Sequence, residues 1–329
     1  MKLSEKVEKL NSMITNSIIR ESADLNDEEL RQWLGITDTS PDLLKEVTYF
    51  TCLKMLSETM GKLPLKYYQE TRAGRIRADP SQMAYLMTVR PNKIMTPATM
   101  WSTTEMNCQH YGNGYIWMRG SFEADKYGGT YKVLDLWPMQ SNCVTVLMDD
   151  VGVFGDKGDL YYQYNDPKTG GVYLFQSSEV MHFKTWYSLD GITGQPVRNI
   201  LKDTVGGALE SQNFMNNLYK QGLTASIAGA FGIKPNQINN YEKSSYSNSE
   251  SQQLAFLVDT MSYRLRMYED EINAKALTPK ESMDGYFFKF NEKAILRTDS
   301  KTQMENLTAA VNNGIYTPNE ARRNLDLPD

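Results

Sequence analysis

No run of apolar residues in this sequence approaches the roughly 20 that a bilayer-crossing helix needs, and the polar opening MKLSEKVEKL lacks the apolar centre of a secretory leader. Together these absences make an intracellular origin the default expectation. Cysteine is scarce too. Cys52, Cys108 and Cys143 are odd in number, far apart and set in apolar patterns, which argues against a disulfide framework and predicts buried free thiols. Histidine is scarcer still: His110 and His182 each stand alone, with no CxxC or HExxH spacing to suggest a metal site. His182 lies in the alternating stretch EVMHFKTW, where a hydrogen-bonded structural histidine is the expectation rather than a general base. Also missing are GxGxxG, the P-loop and GxSxG. The small-residue stretch GLTASIAGAFG has no P-loop lysine and follows a helix rather than a strand. Nor is there a surplus of positive charge: 35 Lys+Arg against 40 Asp+Glu leaves a net −5, which argues against a tight, nonspecific nucleic-acid binder that grips phosphates through a basic surface.

What is present is a chain of 329 residues, 40% hydrophobic and 23% charged, enough for one large domain or two to three smaller ones. Leu3, Val7, Leu10, Ile14 and Ile18 recur at spacings of three and four, predicting an amphipathic helix; a short second helix opens at the acidic NDEE near Asp27. These helices are expected to dock on the body or on a neighbouring subunit. Leading into and through TYFTCLKMLSETMGKLPLKYYQE, Leu43, Val47, Phe50, Leu53, Leu56 and Met60 mark one helical face. Gly61 is expected to supply a left-handed exit, and Pro64 forbids continuation. LPLKYYQE then alternates as a half-buried strand, so the helix is expected to pack back onto a sheet edge.

Thr96 and Pro97 open a helix as cap and first residue, the GNG at Gly112 to Gly114 ends it, and YIWM starts a strand. To about Trp186 the chain is expected to be an antiparallel meander: YKVLDLWPM, CVTVLMD, LYYQYND, GGVYLFQ and EVMHFKTW, separated by turns such as GDKGD and DPKTGG. A glycine-rich loop leads to a helix whose apolar residues include Ile200, Val205, Leu209 and Phe214, ending at Gly222. Gly206 and Gly207 within it suggest a close contact or a bend. A short helix in TASIAGAFGIKP stops before Pro235, and NQINNYEKSSYSNSE follows with no hydrophobic period, which reads as a loop. Behind it lies the longest helix, from about Ser251 to Ala276, with Leu254, Leu257, Met261, Leu265, Tyr268 and Ile272 on one face. The strand GYFFKFN, a helix to Asn313 and a Thr317–Pro318–Glu320 capping box close the sequence, whose stop soon afterwards suggests either a truncated C-terminus or a tail left out. The expected class is α+β.

The order of these pieces resembles the portal protein family of tailed bacteriophages, in its long-tailed type. The resemblance covers most of the chain and rests on TYFTCLKMLSETMGKLPLKYY, YGNGYIWM, LWPM with EVMHFK, IAGAFGIKP followed by SSYSNSESQQLAFL, and GIYTPNEARRNLDLP. Each is weak alone; their shared order carries the likeness. It implies N-terminal helices over 1–40, a mixed α+β wing over 41–195 with antiparallel strands in the middle, and stem-like helices over 196–235. A channel loop follows at 236–250, a long wing helix and strand at 251–292, and the start of crown helices at 293–329. It implies no catalysis, cofactor or metal. The implied channel-loop residues are Lys234, Asn236, Gln237, Asn239, Asn240, Lys243, Ser244, Ser245, Tyr246, Ser247 and Asn248.

Implied partners are copies of the chain itself in a ring of typically twelve, double-stranded DNA passing without sequence preference, terminase, a head–tail adaptor, and major capsid and scaffold proteins, with no membrane. The implied place is the portal vertex of the virion, reached from the host cytoplasm during assembly. Twelve copies would carry about −60, which suits a channel that must let a duplex slide. The loop itself is nearly balanced, Lys234 and Lys243 against Glu242 and Glu250, with Asn, Ser and Tyr side chains that can touch phosphates without reading bases. Its composition alone is equally that of a solvated connector.

One departure stands out. Portals of this type carry a further helix-and-strand segment, building part of the stem and the clip, between the helix ending at Gly222 and SIAGAFG; here LTA alone joins them, so the stem and clip are incomplete near 222–226. That gap reads either as a deletion or as a segment left out of the sequence as written, and it bears on ring formation and motor docking. Two other readings stay open: a different ring-forming head–tail connector or baseplate protein, and a hydrolase using Asp149 and Asp150 of LMDDVG. Adjacent strand residues point to opposite faces, so this carboxylate pair reads better as a turn.

Overall fold

The computed structural model describes residues 47–72, 74–125, 128–149, 156, 158–167, 169–199, 227–234, 237, 249–294 and 300–324. The expected helices at 3–19 and 27–34, and all of the 200–222 helix, lie outside these residues.

Helix α1 (Val47–Lys62) runs into strand β1 (Leu65–Thr71), as the change of period at Pro64 predicts. Its buried face is Tyr49, Cys52, Leu53, Leu56, Met60 and Leu63, while Phe50 is exposed, so the face is rotated from the expected one. The Gly61 expectation is corrected as well. The helix continues through Gly61 to Lys62, and Gly61 is not among the residues with positive φ. Its role is clearance: a Cβ there would sit 3.0 Å from the Ala98 carbonyl of the neighbouring helix. Nor is β1 at a sheet edge. It lies between β2 (Gly74–Arg77) and β9 (Tyr286–Phe290), pairing antiparallel with both.

Helix α2 (Gln82–Thr88), capped by Ser81, was not visible as a periodic pattern. Helix α3 (Pro97–Tyr111) has the expected Thr96 cap, whose hydroxyl accepts the Thr99 N–H, and stops at Gly112 with φ +85°. Strands β3 (Asn113–Asp125), β4 (Gly128–Met139) and β8 (Val180–Lys184) form a second antiparallel sheet in the order β4-β3-β8. Strands β5 (Val144–Met148), β6 (Leu160–Asn165) and β7 (Val172–Gln176) form a third. The expected meander is therefore two sheets rather than one continuous run, because β8 returns to pair with β3.

Period-two alternation assigns the two faces of the second sheet. Ile116, Met118, Leu136, Met181 and Phe183 enter the main core, while Tyr115, Trp117, Trp137, Met139 and Val180 pack against Tyr162, Tyr173 and Phe175 of the third sheet. With both faces covered, β8 reads as a nearly continuous apolar stretch.

The long helix expected from 251 is present as α4 (Ser249–Phe256), a π turn (Leu257–Met261) and α5 (Ser262–Ala276). Leu257, Met261, Leu265, Tyr268 and Ile272 are buried as expected; Leu254, before the π turn, is half exposed, which corrects its placement on the core face. Helix α5 lies against two open sheet edges and seals both. On one side Asn273 accepts the Phe288 N–H at 2.7 Å and donates to its carbonyl at 3.1 Å, and Glu269 accepts the Phe290 N–H at 2.8 Å. On the other, Glu271 accepts the His182 N–H at 2.8 Å and Lys275 donates to the Ser177 carbonyl. Residues 269 and 273 form one i, i+4 pair and 271 and 275 another, with the apolar Tyr268–Ile272–Ala276 stripe between. Side chains thus take the place of a next strand at the β8 and β9 edges.

Trp101 of α3 stands at the centre of the main core, edge-on to Phe183, Tyr268 and Phe290 at 6.0, 6.3 and 5.7 Å. It therefore joins β8, α5 and β9. Helix α6 (Pro279–Met283) leads into β9, and α7 (Ser300–Asn312) ends at Gly314 with φ +68°. Helix α8 (Pro318–Asn324) begins with the predicted capping box: Thr317 and Glu320 exchange bonds with each other's backbone N–H.

Candidate nucleic-acid interface

The polar loop is approached from the body through a helical turn at 227–230, followed by a reversal at Gly232, φ +69°. Ile227, Ala228, Phe231 and Ile233 are buried, so this approach is part of the core. The Ile233 N–H returns to the Ala228 carbonyl at 2.8 Å, and Lys234 and Gln237 cap one another, the Lys234 N–H donating to Gln237 Oε1 at 3.1 Å. On the far side of the loop the chain re-enters as α4 and reaches the body at the π turn.

Three contacts join the two ends, and a fourth braces the returning one. Lys234 Nζ meets Asp259 Oδ2 at 2.6 Å, with both side chains about half exposed. The Thr260 hydroxyl donates to the Gly232 carbonyl at 2.6 Å. Arg264 is buried and forked: one terminal nitrogen donates to the Thr260 carbonyl and the other to the Phe231 carbonyl, each at 2.7 Å. Its Nε lies 3.7 Å from Glu105 Oε1 of α3, an ion pair rather than a hydrogen bond.

Glu105 is fully buried. It accepts from the Tyr268 hydroxyl at 2.7 Å and the Gln109 amide at 2.9 Å. Burial pushes its carboxyl above the ordinary value of 4.5, against the opposing pull of Arg264, Tyr268 and Gln109. The exposed Lys234–Asp259 pair is worth under about 1 kcal/mol. The buried group is where charge matters, because removing either member would leave the other uncompensated.

Of the predicted loop residues, the structure places Lys234 and Gln237 at the outgoing end. Asn236, Asn239, Asn240, Lys243, Ser244, Ser245, Tyr246, Ser247 and Asn248 lie outside the described residues. Asp259, Arg264 and Glu105 were not foreseen. A signal for the last two was present: Arg264 falls between Met261 and Tyr268 on the apolar stripe, and Glu105 between Trp101 and Cys108 on the buried face of α3. Opposite charges at core positions of two helices point to a pair.

The residues weighed for chemistry are occupied otherwise. His182 Nε2 lies 2.8 Å from Asn113 Oδ1 and Nδ1 lies 3.3 Å from the Tyr162 hydroxyl, with the ring stacked on Tyr115. His110 Nδ1 lies 3.0 Å from the Tyr49 hydroxyl. Burial pushes both imidazoles down to about 3, so both are neutral at physiological pH and serve as packed hydrogen-bonding groups. Cys52 and Cys108 are buried free thiols; Cys143 is only half buried, which corrects the expectation for the third. Asp149 follows β5 and exchanges backbone bonds with Gly158 and Asp159, and Asp150 lies outside the described residues. A recess of about 300 Å³ between β8 and α5 is lined by Lys184, Asp270 and Glu271 among others, but Glu271 is already bound to the His182 backbone. Among the described residues no group of three or more His, Cys, Asp or Glu is placed to hold a metal, and no helix is long and apolar enough to cross a membrane.

Comparison with known proteins agrees with this layout. The portal protein of Enterobacteria phage HK97 is 22% identical over 366 aligned positions, covering 90% of this chain and 82% of that protein. Those 366 positions hold 0.90 × 329, or about 296, residues of this chain, so about 70 positions are gaps on this side. Protein BeeE of Escherichia coli strain K12 is 27% identical over 112 residues, 34% of this chain and 66% of that one, so the match spans just under two thirds of BeeE. In fold, the chain is similar to a protein of the neck of a native gene transfer agent particle computed with C12 symmetry. The TM-score is 0.52 at 14% identity, over 92% of this chain and 93% of the other. The family model for phage portal proteins matches residues 47–228 and again 223–326, which is nearly all of the chain from α1 to α8. With the helix-to-strand joint, the Gly112 break and the long helix all in place, this chain belongs to the phage portal protein family.

Proposed function

We propose that this chain is the subunit of a ring at one capsid vertex, through which double-stranded DNA is packaged and ejected, and that residues 236–250 line its channel. The observation that carries this is the portal-family match running across the whole described fold, from α1 to α8. The ring then serves as the docking site for terminase and a head–tail adaptor, assembles with capsid and scaffold proteins in the host cytoplasm, and ends in the virion. Its role is structural rather than catalytic.

The electrostatics suit sliding rather than gripping. Lys234, the one lysine described beside the loop, is paired with Asp259 and so offers little free charge to a phosphate. The two family matches meet at 223–228, which supports the reading that a clip segment is missing near 222–226. On that reading the surface that meets the motor is reduced in this chain.

The loop assignment is tested by Lys234→Glu combined with Lys243→Glu. Both the fold and ring assembly are expected to survive, because Lys234 is exposed and its pair with Asp259 contributes under about 1 kcal/mol. DNA retention in particles is expected to change, since two charges per subunit reverse sign around the channel. Normal retention at normal ring yield would remove the loop from the channel.

A further inference from the structure

The charge of Arg264, buried between α3 and α5, is spent on two main-chain carbonyls that belong to different segments. Arg264 bonds the carbonyl of Phe231, four residues before Pro235, and the carbonyl of Thr260 in the π turn that follows α4. Thr260 closes the triangle by donating to Gly232, next to Phe231. Glu105 sits behind the fork, held by Tyr268 and Gln109.

We propose that Arg264 is the positioning residue for the channel loop: a buried fork that fixes the backbone leaving the body to the backbone returning to it, and fixes both to Glu105 of α3. The π turn fits this role. Thr260 lies within the π turn, where the ladder shifts from i→i+4 to i→i+5 bonds, and its carbonyl accepts from the Arg264 side chain one turn on. The guanidinium suits the position because its planar fork reaches two acceptors at once while keeping its charge; a lysine ammonium has no such fork. The outer pair, Lys234 with Asp259, guides the same two segments at the surface but is solvent-screened, so the inner fork sets the geometry.

The functional half of this inference rests on the assignment of residues 236–250 to the channel; the clasp itself does not. Hydrogen exchange on the full chain tests the clasp. In Arg264→Lys, the positive charge beside Glu105 is kept and the fork is lost. The amides of Gly232, Ile233 and Lys234 are expected to exchange roughly tenfold or more faster, the factor that accompanies loss of a hydrogen bond to a charged group, while β3 and β4 are unchanged. Arg264→Met combined with Glu105→Gln gives the same local acceleration without an orphaned charge, and so covers the case in which a single variant misfolds.

A residue that merely fills the core would loosen all the elements around it. Unchanged exchange at 232–234 in folded variants, or acceleration spread equally over β3 and β4, overturns the proposal. DNA retention in particles carrying Arg264→Lys separates the two readings. Local acceleration with altered retention supports both, and local acceleration with normal retention keeps the clasp while removing the channel assignment.

Discussion

Gly112→Ala is expected to abolish folding or to remove more than about 3 kcal/mol of stability. Two costs add at this residue. Its φ of +85° is left-handed, which costs an L side chain on the order of 1–2 kcal/mol. A Cβ would also sit 2.3 Å from the Gly194 carbonyl oxygen and 2.7 Å from the Pro196 nitrogen, both main-chain atoms that no rotamer change can move. The crossing is tied from both sides, because Asn113 accepts the Gly194 N–H at 2.8 Å and donates to its carbonyl at 3.0 Å, and the Gly112 carbonyl accepts the Thr185 N–H. The two segments cannot separate without losing these bonds. Gly170→Ala is the control: φ is +65° with nothing within 4 Å, so the conformational cost alone remains. Denaturant midpoints of the two variants isolate the crossing, and equal midpoints would show that residues 194–196 do not bear on Gly112.

The second large effect is expected at Glu105. Glu105→Leu leaves the Arg264 charge, the Tyr268 hydroxyl and the Gln109 amide without their acceptor in a site fully shut from water, at a cost of about 3–5 kcal/mol. That approaches the whole stability of an ordinary domain. Glu105→Gln keeps one acceptor oxygen and is expected to cost less. The pH dependence has a definite sign. Because the folded carboxyl is raised above 4.5, the folded chain holds this proton more tightly than the unfolded one, and stability falls as pH rises above 4.5. Thermal melts across that range should show the fall, and Glu105→Gln should flatten it. A Glu105→Leu protein as stable as the parent would mean that the pair is not formed.

How far the fold was legible follows from the range of the interactions. Thr96 and Pro97, Gly112, Thr317 with Glu320, and Gly314 are local punctuation, and each lies where the structure has a helix end. Period identified β1, β6, β7 and β9 for the same reason. Partnering was not legible: β1 pairs with β9 more than 200 residues away, and β8 skips back to β3, choices made by packing around Trp101 rather than by local pattern. Gly61 shows the limit of a local rule. A glycine before a proline resembles a helix exit, yet here its missing Cβ admits the backbone of α3. Lack of period marked 236–250 as a loop, but Ser249 and Glu250 already belong to α4, which corrects its far bound, and most of the rest lies outside the described residues. The Arg264–Glu105 pair was not legible, because the two are 159 positions apart and meet only in the folded chain.

The most direct measurement is electron microscopy of the assembled protein, purified with its particles and also expressed alone over a wide range of concentration. The account predicts closed rings of identical subunits around an open channel, with residues 236–250 facing the lumen. Compact monomers at every concentration, or rings in which those residues are buried away from the lumen, would contradict it.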